Sequence, residues 1–164
     1  ERLTALILLV HQFEHSKDQA ARKKIYQAYL ANTRWINNWD LVDTSAPKIV
    51  GAFLGERALP VLRRLALSKN LWEKRIAMIS TQYQINQGDC QPAMTIAEMV
   101  LHDQHDLMHK ATGWMLREVG KKCSQSTLEK FLRQHAATMP RTTLRYAIEK
   151  FPKSKQQFYL KYSQ

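Results

Sequence analysis

Trp39 and Asp43 stand four residues apart, so any helix containing both presents an aromatic ring and a carboxylate on one face. Such a pair can receive a cation. In Trp35-Ile-Asn-Asn-Trp39-Asp40-Leu-Val-Asp43, Asn37 or Asn38 can cap the helix and Asp40 sits in its first turn, where the dipole favours an acid. Asp43 lies a turn deeper and gains little from that dipole. Taken on pattern alone, a core tryptophan beside a solvated aspartate is the commoner arrangement. A second group follows in Leu71-Trp72-Glu73-Lys74-Arg75-Ile76, where Trp72 reads as a packing residue and Glu73, Lys74 and Arg75 are expected to point away from Ile76, Ile79 and Tyr83. A third is Lys110-Ala-Thr-Gly113-Trp114-Met-Leu-Arg117-Glu118.

Other chemistries find no support. His102, His105 and His109 are spaced by three and four, but no carboxylate takes the base position of a His-Glu-x-x-His site, so a solvated helix entry is expected rather than zinc. His11 and His15 are read the same way. A glycine-rich phosphate loop, a Gly-x-Ser-x-Gly elbow and a Cys/His nucleophile pair are all missing from the sequence. No cofactor and no metal are expected.

These residues need a scaffold, and 164 residues with 45% hydrophobic and 24% charged side chains supply one ordinary folded domain. Charge is the marked feature: 25 Lys+Arg against 14 Asp+Glu give +11 and a pI near 9.8, which suits an anionic partner. Residues 61–164 carry +9 of this, and the stretch from Arg117 onward has eleven basic residues against three acids, interleaved with Thr, Ser, Tyr and Gln. That mixture reads as a surface tracking a phosphate backbone rather than a base-reading helix. Cys90 and Cys123 are too few for a disulfide framework and form no Cys-x-x-Cys, so a reducing compartment, the cytoplasm, is expected. Leu6–Val10 is too short to span a bilayer, and no membrane association is expected. The chain opens at Glu1 without methionine and runs at once into an apolar periodic segment, which predicts that it is the C-terminal part of a longer chain.

Apolar residues recur at three and four almost throughout, which predicts an all-α chain. Helices are expected near 2–15, 18–33, 39–52, 58–68, 71–85, 91–102, 106–120, 125–137, 140–150 and 153–162. Setting Ala5, Leu41, Ala77, Ala111 and Ala147 in register gives spacings of 36, 36, 34 and 36, two helices to a period. This is the arithmetic of a HEAT-like helical-repeat solenoid with a concave face; a globin-like bundle would require no register. In that register Arg75 takes the place of Trp39, Lys110 that of Asp40, and Trp114 that of Thr44 and Ser80. A large ring where earlier repeats have small polar groups points to a special site.

Four ordered motifs, Trp39-Asp40-Leu-Val-Asp43, Trp72-Glu-Lys-Arg75-Ile-Ala, Lys110-Ala-Thr-Gly113-Trp114-Met-Leu-Arg117-Glu and Met139-Pro-Arg-Thr-Thr-Leu-Arg145-Tyr-Ala, resemble the DNA alkylation repair enzymes of the HEAT-like-repeat DNA glycosylase family. The resemblance covers about Ala5 to Lys150. It implies a monomeric α-helical solenoid with a concave basic face that binds double-stranded DNA and removes N3- or N7-alkylated purines without flipping the base into a pocket. By motif match it implies Asp43 as catalytic carboxylate, Trp39 and Trp114 at the lesion's sugar-phosphate, Arg75 at the adjacent backbone, and Arg117 and Lys110 as further DNA contacts. Lys74 stands where the family often has a second arginine. The family's chains begin earlier, with N-terminal helices that complete the DNA surface. Noncatalytic relatives that bind unusual DNA structures, and protein-binding HEAT scaffolds, are the alternatives; the former as a group lack the full Trp/Asp/Arg/Trp set, and the basic surface counts against the latter.

Overall fold

The protein is described by a computed structural model over residues 1–161. It is all α, with no strand among the described residues. The helices are α1 (Arg2–His15), α2 (Gln19–Ala31), α3 (Trp39–Ala46), α4 (Ala52–Leu54), α5 (Ala58–Ala66), α6 (Leu71–Ser80), α7 (Gln82–Asn86), α8 (Gln91–Val100), α9 (Asp106–Glu118), α10 (Gln125–His135), α11 (Arg141–Ala147) and α12 (Lys153–Lys161). The ten expected segments are all helical, and residue 162 of the last lies outside the described residues.

Local chemistry sets the helix starts. The side chains of Asp18, Asn38, Asn70 and Ser124 accept backbone N–H groups from the first turns of α2, α3, α6 and α10, replacing bonds that a helix start cannot make internally. Two of the expected segments are interrupted, 39–52 at Pro47 and 71–85 at Thr81, which separates α6 from α7. Pro47 has no N–H to give to the carbonyl of Asp43, and Pro47–Gly51 widens into a π turn between α3 and α4. Val119–Cys123 forms a second π turn after α9.

Packing follows chain order. One row runs α1, α3, α6, α9, α11, each against its successor; α2, α5, α8 and α12 pack on the members of that row beside them, giving a helical-repeat fold. The expected register marks the contacts in four repeats: Leu41, Ala77, Ala111 and Ala147 are buried. Ala5 is exposed, and α1 turns Leu6, Val10 and Phe13 inward instead. The alanines at three of these contacts let the backbones approach, and the large side chains of Met78, Met108, Met115 and Leu116 fill the space beside them without solvent exposure. At Gly51 and Gly113 the approach is close enough that a Cβ would meet a carbonyl oxygen of the next helix at 2.4 Å and 2.5 Å, respectively.

Cys90 and Cys123 are joined by a disulfide. Their sequence separation of 33 is close to one repeat period, so stacking brings the start of α8 beside the turn that follows α9. Lys122 donating to Asn86 Oδ1 holds the same two turns together. Among the described residues, no helix is long and apolar enough to cross a membrane.

Candidate functional site

Asp43 and Arg75 meet across the contact between α3 and α6. Arg75 Nε donates to Asp43 Oδ1 at 2.9 Å and Nη2 to Oδ2 at 2.7 Å, a bidentate fork, while Nη1 donates to the Leu107 carbonyl at the start of α9. The guanidinium therefore ties α3, α6 and α9, three successive helices of one row, to one another. Arg75 is only 4% exposed, which corrects the expectation that it points away from the apolar face with Glu73 and Lys74. Its ion pair is why a charge can be buried there. Burial pushes the Asp43 carboxyl above its usual range, with the Arg75 hydrogen bonds and charge opposing that shift.

Arg75 also forms part of the wall of a cavity of about 320 Å³ shared with Trp39, Leu107, Lys110, Trp114, Arg117 and Tyr146. Five of the six residues singled out from the sequence thus surround one space. The sixth, Asp43, opens on a neighbouring cavity of about 370 Å³ with Lys48, Gln82, Tyr83 and Asn86 among its walls. Asp43 meets the first cavity through Arg75. Trp39 is 53% exposed at the head of α3, and Trp114 is partly buried against the core. Trp72 packs against that core, as its pattern predicts.

The cations differ in how firmly they are held. Lys110 pairs with Asp106 one turn earlier, 2.6 Å away and exposed. Arg117 bonds Glu149, in the turn after α11, and lies 3.3 Å from Glu118, and it also lines a third cavity with Lys121, Gln125 and Lys150. The first and third cavities share Arg117, and the Asp43–Arg75 pair joins a wall of the first to a wall of the second. Lys74 is paired with Asp103. Burial disfavours the Asp103 charge, but its hydrogen bond from Lys74, with the His105 N–H and nearby charges, draws the carboxyl below its usual range. In the basic C-terminal stretch, Lys122, Arg133, Lys150 and Lys155 all have carboxylate partners.

The histidines have structural roles. The ring of His105 caps α9 by accepting the Leu107 N–H, and His109 bonds the Asp103 carbonyl. His11 and His15 stack with ring centroids 4.0 Å apart.

The order of the motifs and this geometry coincide with a family-level match: the model for DNA alkylation repair enzymes fits residues 1–151. The chain belongs to the DNA alkylation repair enzyme family. The match runs from α1 through α11 and takes in every residue of the three cavities. Membership in the DNA alkylation repair family connects the chain with alkylation repair and makes DNA the partner class. A comparison with curated proteins returns no match.

Leu107 and Tyr146 escaped the sequence reading. Leu107 acts through its backbone carbonyl, which no side-chain pattern reveals. Tyr146 had a signal: it lies 36 residues after Lys110, in the register place of Lys110 and Asp40.

Proposed function

We propose that the protein is a monofunctional DNA glycosylase that excises cationic N3- or N7-alkylated purines from duplex DNA. The observation that carries this reading is the bidentate Asp43–Arg75 pair beside a cavity walled by Trp39, Trp114, Lys110 and Arg117, in a chain of the DNA alkylation repair family.

Alkylation at N3 or N7 leaves the purine positive, so the base is already a good leaving group and needs little acid catalysis. As the glycosidic bond stretches, positive charge moves onto the deoxyribose. A fixed carboxylate stabilises that oxocarbenium-like state and orients the attacking water, as carboxylates do in glycoside hydrolysis. Asp43 is that carboxylate. Arg75 fixes its orientation through both oxygens and opposes the protonation that burial favours. Trp39 and Trp114 hold the sugar by stacking and add cation–π attraction. Lys110 and Arg117 meet the backbone phosphates, Arg117 by exchanging Glu149 for a phosphate, and Arg75 adds a cationic wall to the same space. The helical rows curve into a solenoid whose concave side carries these groups, and the chain acts as a monomer without a cofactor.

Incubating the chain with duplex DNA containing N7-methylguanine, and measuring free base and strand breaks, tests this reading. Base release with an intact strand is expected, undiminished by EDTA. Duplex binding with no base released would favour a noncatalytic DNA binder, and no duplex binding would favour a protein-binding scaffold.

A further inference from the structure

Tyr146 stands at the end of α11, 36% exposed, on the wall of the cavity that holds Trp39, Trp114, Arg75, Lys110 and Arg117. Its placement depends on Gly113. A Cβ at Gly113 would lie 2.5 Å from the Thr143 carbonyl oxygen and 2.5 Å from Tyr146 Cβ, so only glycine lets α11 close on α9 far enough to bring the phenol beside Trp114. The same device occurs elsewhere in the chain. A Cβ at Gly51 would lie 2.4 Å from the Ser80 oxygen and 2.8 Å from Tyr83 Cβ, and Tyr83 is on the wall of the cavity that holds Asp43. In both places a glycine abuts a small polar residue's carbonyl and the tyrosine three positions later. Each tyrosine is thereby delivered to a cavity flanking the Asp43–Arg75 pair.

The Tyr146 ring is about a third exposed, and its hydroxyl has no hydrogen-bond partner among the described residues. Around it are two indoles and three cations. That lining fits a sugar-phosphate: apolar ring faces for the deoxyribose and donors for the phosphodiester oxygens. We infer that Tyr146 is a further DNA-contact residue, its ring against a deoxyribose of the bound strand and its hydroxyl donating to a neighbouring phosphate. The inference rests on the DNA-repair reading given above and extends it to a residue on α11, beyond the three helices that Arg75 joins.

Because tyrosine is neutral, it displaces no counterions from DNA, unlike lysine or arginine. Fluorescence anisotropy across a salt series, on duplex DNA carrying a tetrahydrofuran abasic analogue, separates the two kinds of contact. Y146A is expected to weaken binding by about tenfold, the scale of one lost stacking platform, at every salt concentration with an unchanged salt slope. Y146F, which cannot disturb the packing, is expected to lose about threefold from the missing hydrogen bond. R117Q is the charged reference, reducing the salt slope by about one. If wild type does not bind the duplex, the DNA-repair reading fails and this inference falls with it. If wild type binds and Y146A binds as tightly, the inference alone is overturned. A changed salt slope in Y146A also overturns it, since the tyrosine would then act only by positioning Lys110 or Arg117.

Discussion

At Asp43 burial and the Arg75 guanidinium pull the carboxyl in opposite directions, and burial is the larger influence. A carboxyl whose folded value is raised contributes stability that is complete below its ordinary value of 3.8 and is lost as pH rises through the raised value. At neutral pH the ionised group is therefore held at some cost, as suits a charge reserved for a developing cation. On the proposed mechanism, in which the ionised form stabilises the sugar, base release should decline as pH falls through a midpoint above 3.8. D43N should abolish that limb and lower release at neutral pH by on the order of a hundredfold. R75M, which leaves the buried carboxyl without its two donors, should lower stability by about 3 kcal/mol. Single-turnover release across pH and chemical denaturation of D43N, R75M and the double variant check both statements. Destabilisations that simply add would show that the pair is not coupled.

Among the elements, the contact between α9 and α11 is the most demanding, because it has no room for a side chain at Gly113. The clash there is with backbone and with a Cβ, neither of which can swing aside as a long side chain can. Gly113→Ala should accordingly destabilise the fold by about 2 kcal/mol, despite the better helix propensity of alanine. Gly120 offers the contrast: there an added Cβ would meet the end of the flexible Leu128 side chain at 2.5 Å. Alanine at 120 should be tolerated better than alanine at 113. Paired urea melts of the two variants decide the order, and equal loss would mean that α11 is free to move away from α9.

For the molecule as a whole, the Cys90–Cys123 bridge closes a 33-residue separation between the start of α8 and the turn after α9. In the chain-entropy account, a loop of that size makes the crosslink worth about 3–4 kcal/mol. Reduction should then lower Tm by about 10 °C in a chain of this size. The measurement is a thermal melt with and without a phosphine reductant, with C90S as the control that reductant should leave unaffected. An unchanged melting curve on full reduction would show that stacking of the repeats already holds these turns together.

Much of the fold was legible because helices announce themselves locally. Apolar spacing, the caps at Asn38 and Asn70, and the punctuating prolines act within a few residues, so every expected segment is helical, with 39–52 and 71–85 each divided in two. The register of Leu41, Ala77, Ala111 and Ala147 was legible for a related reason: stacked repeats must present small or buried residues at equivalent contacts. The motif order likewise pointed to the family. Sequence could not say that Arg75 turns inward, because a guanidinium on a helix reads as solvated until a carboxylate on the neighbouring helix is seen to accept it. Nor could it separate a solvated Asp43 from a buried one. The Cys90–Cys123 bond, the carbonyl of Leu107 and the approach of Tyr146 to Trp114 all join residues about one repeat apart or farther. Such distances are set by how helices pack, and only the tertiary structure decides them.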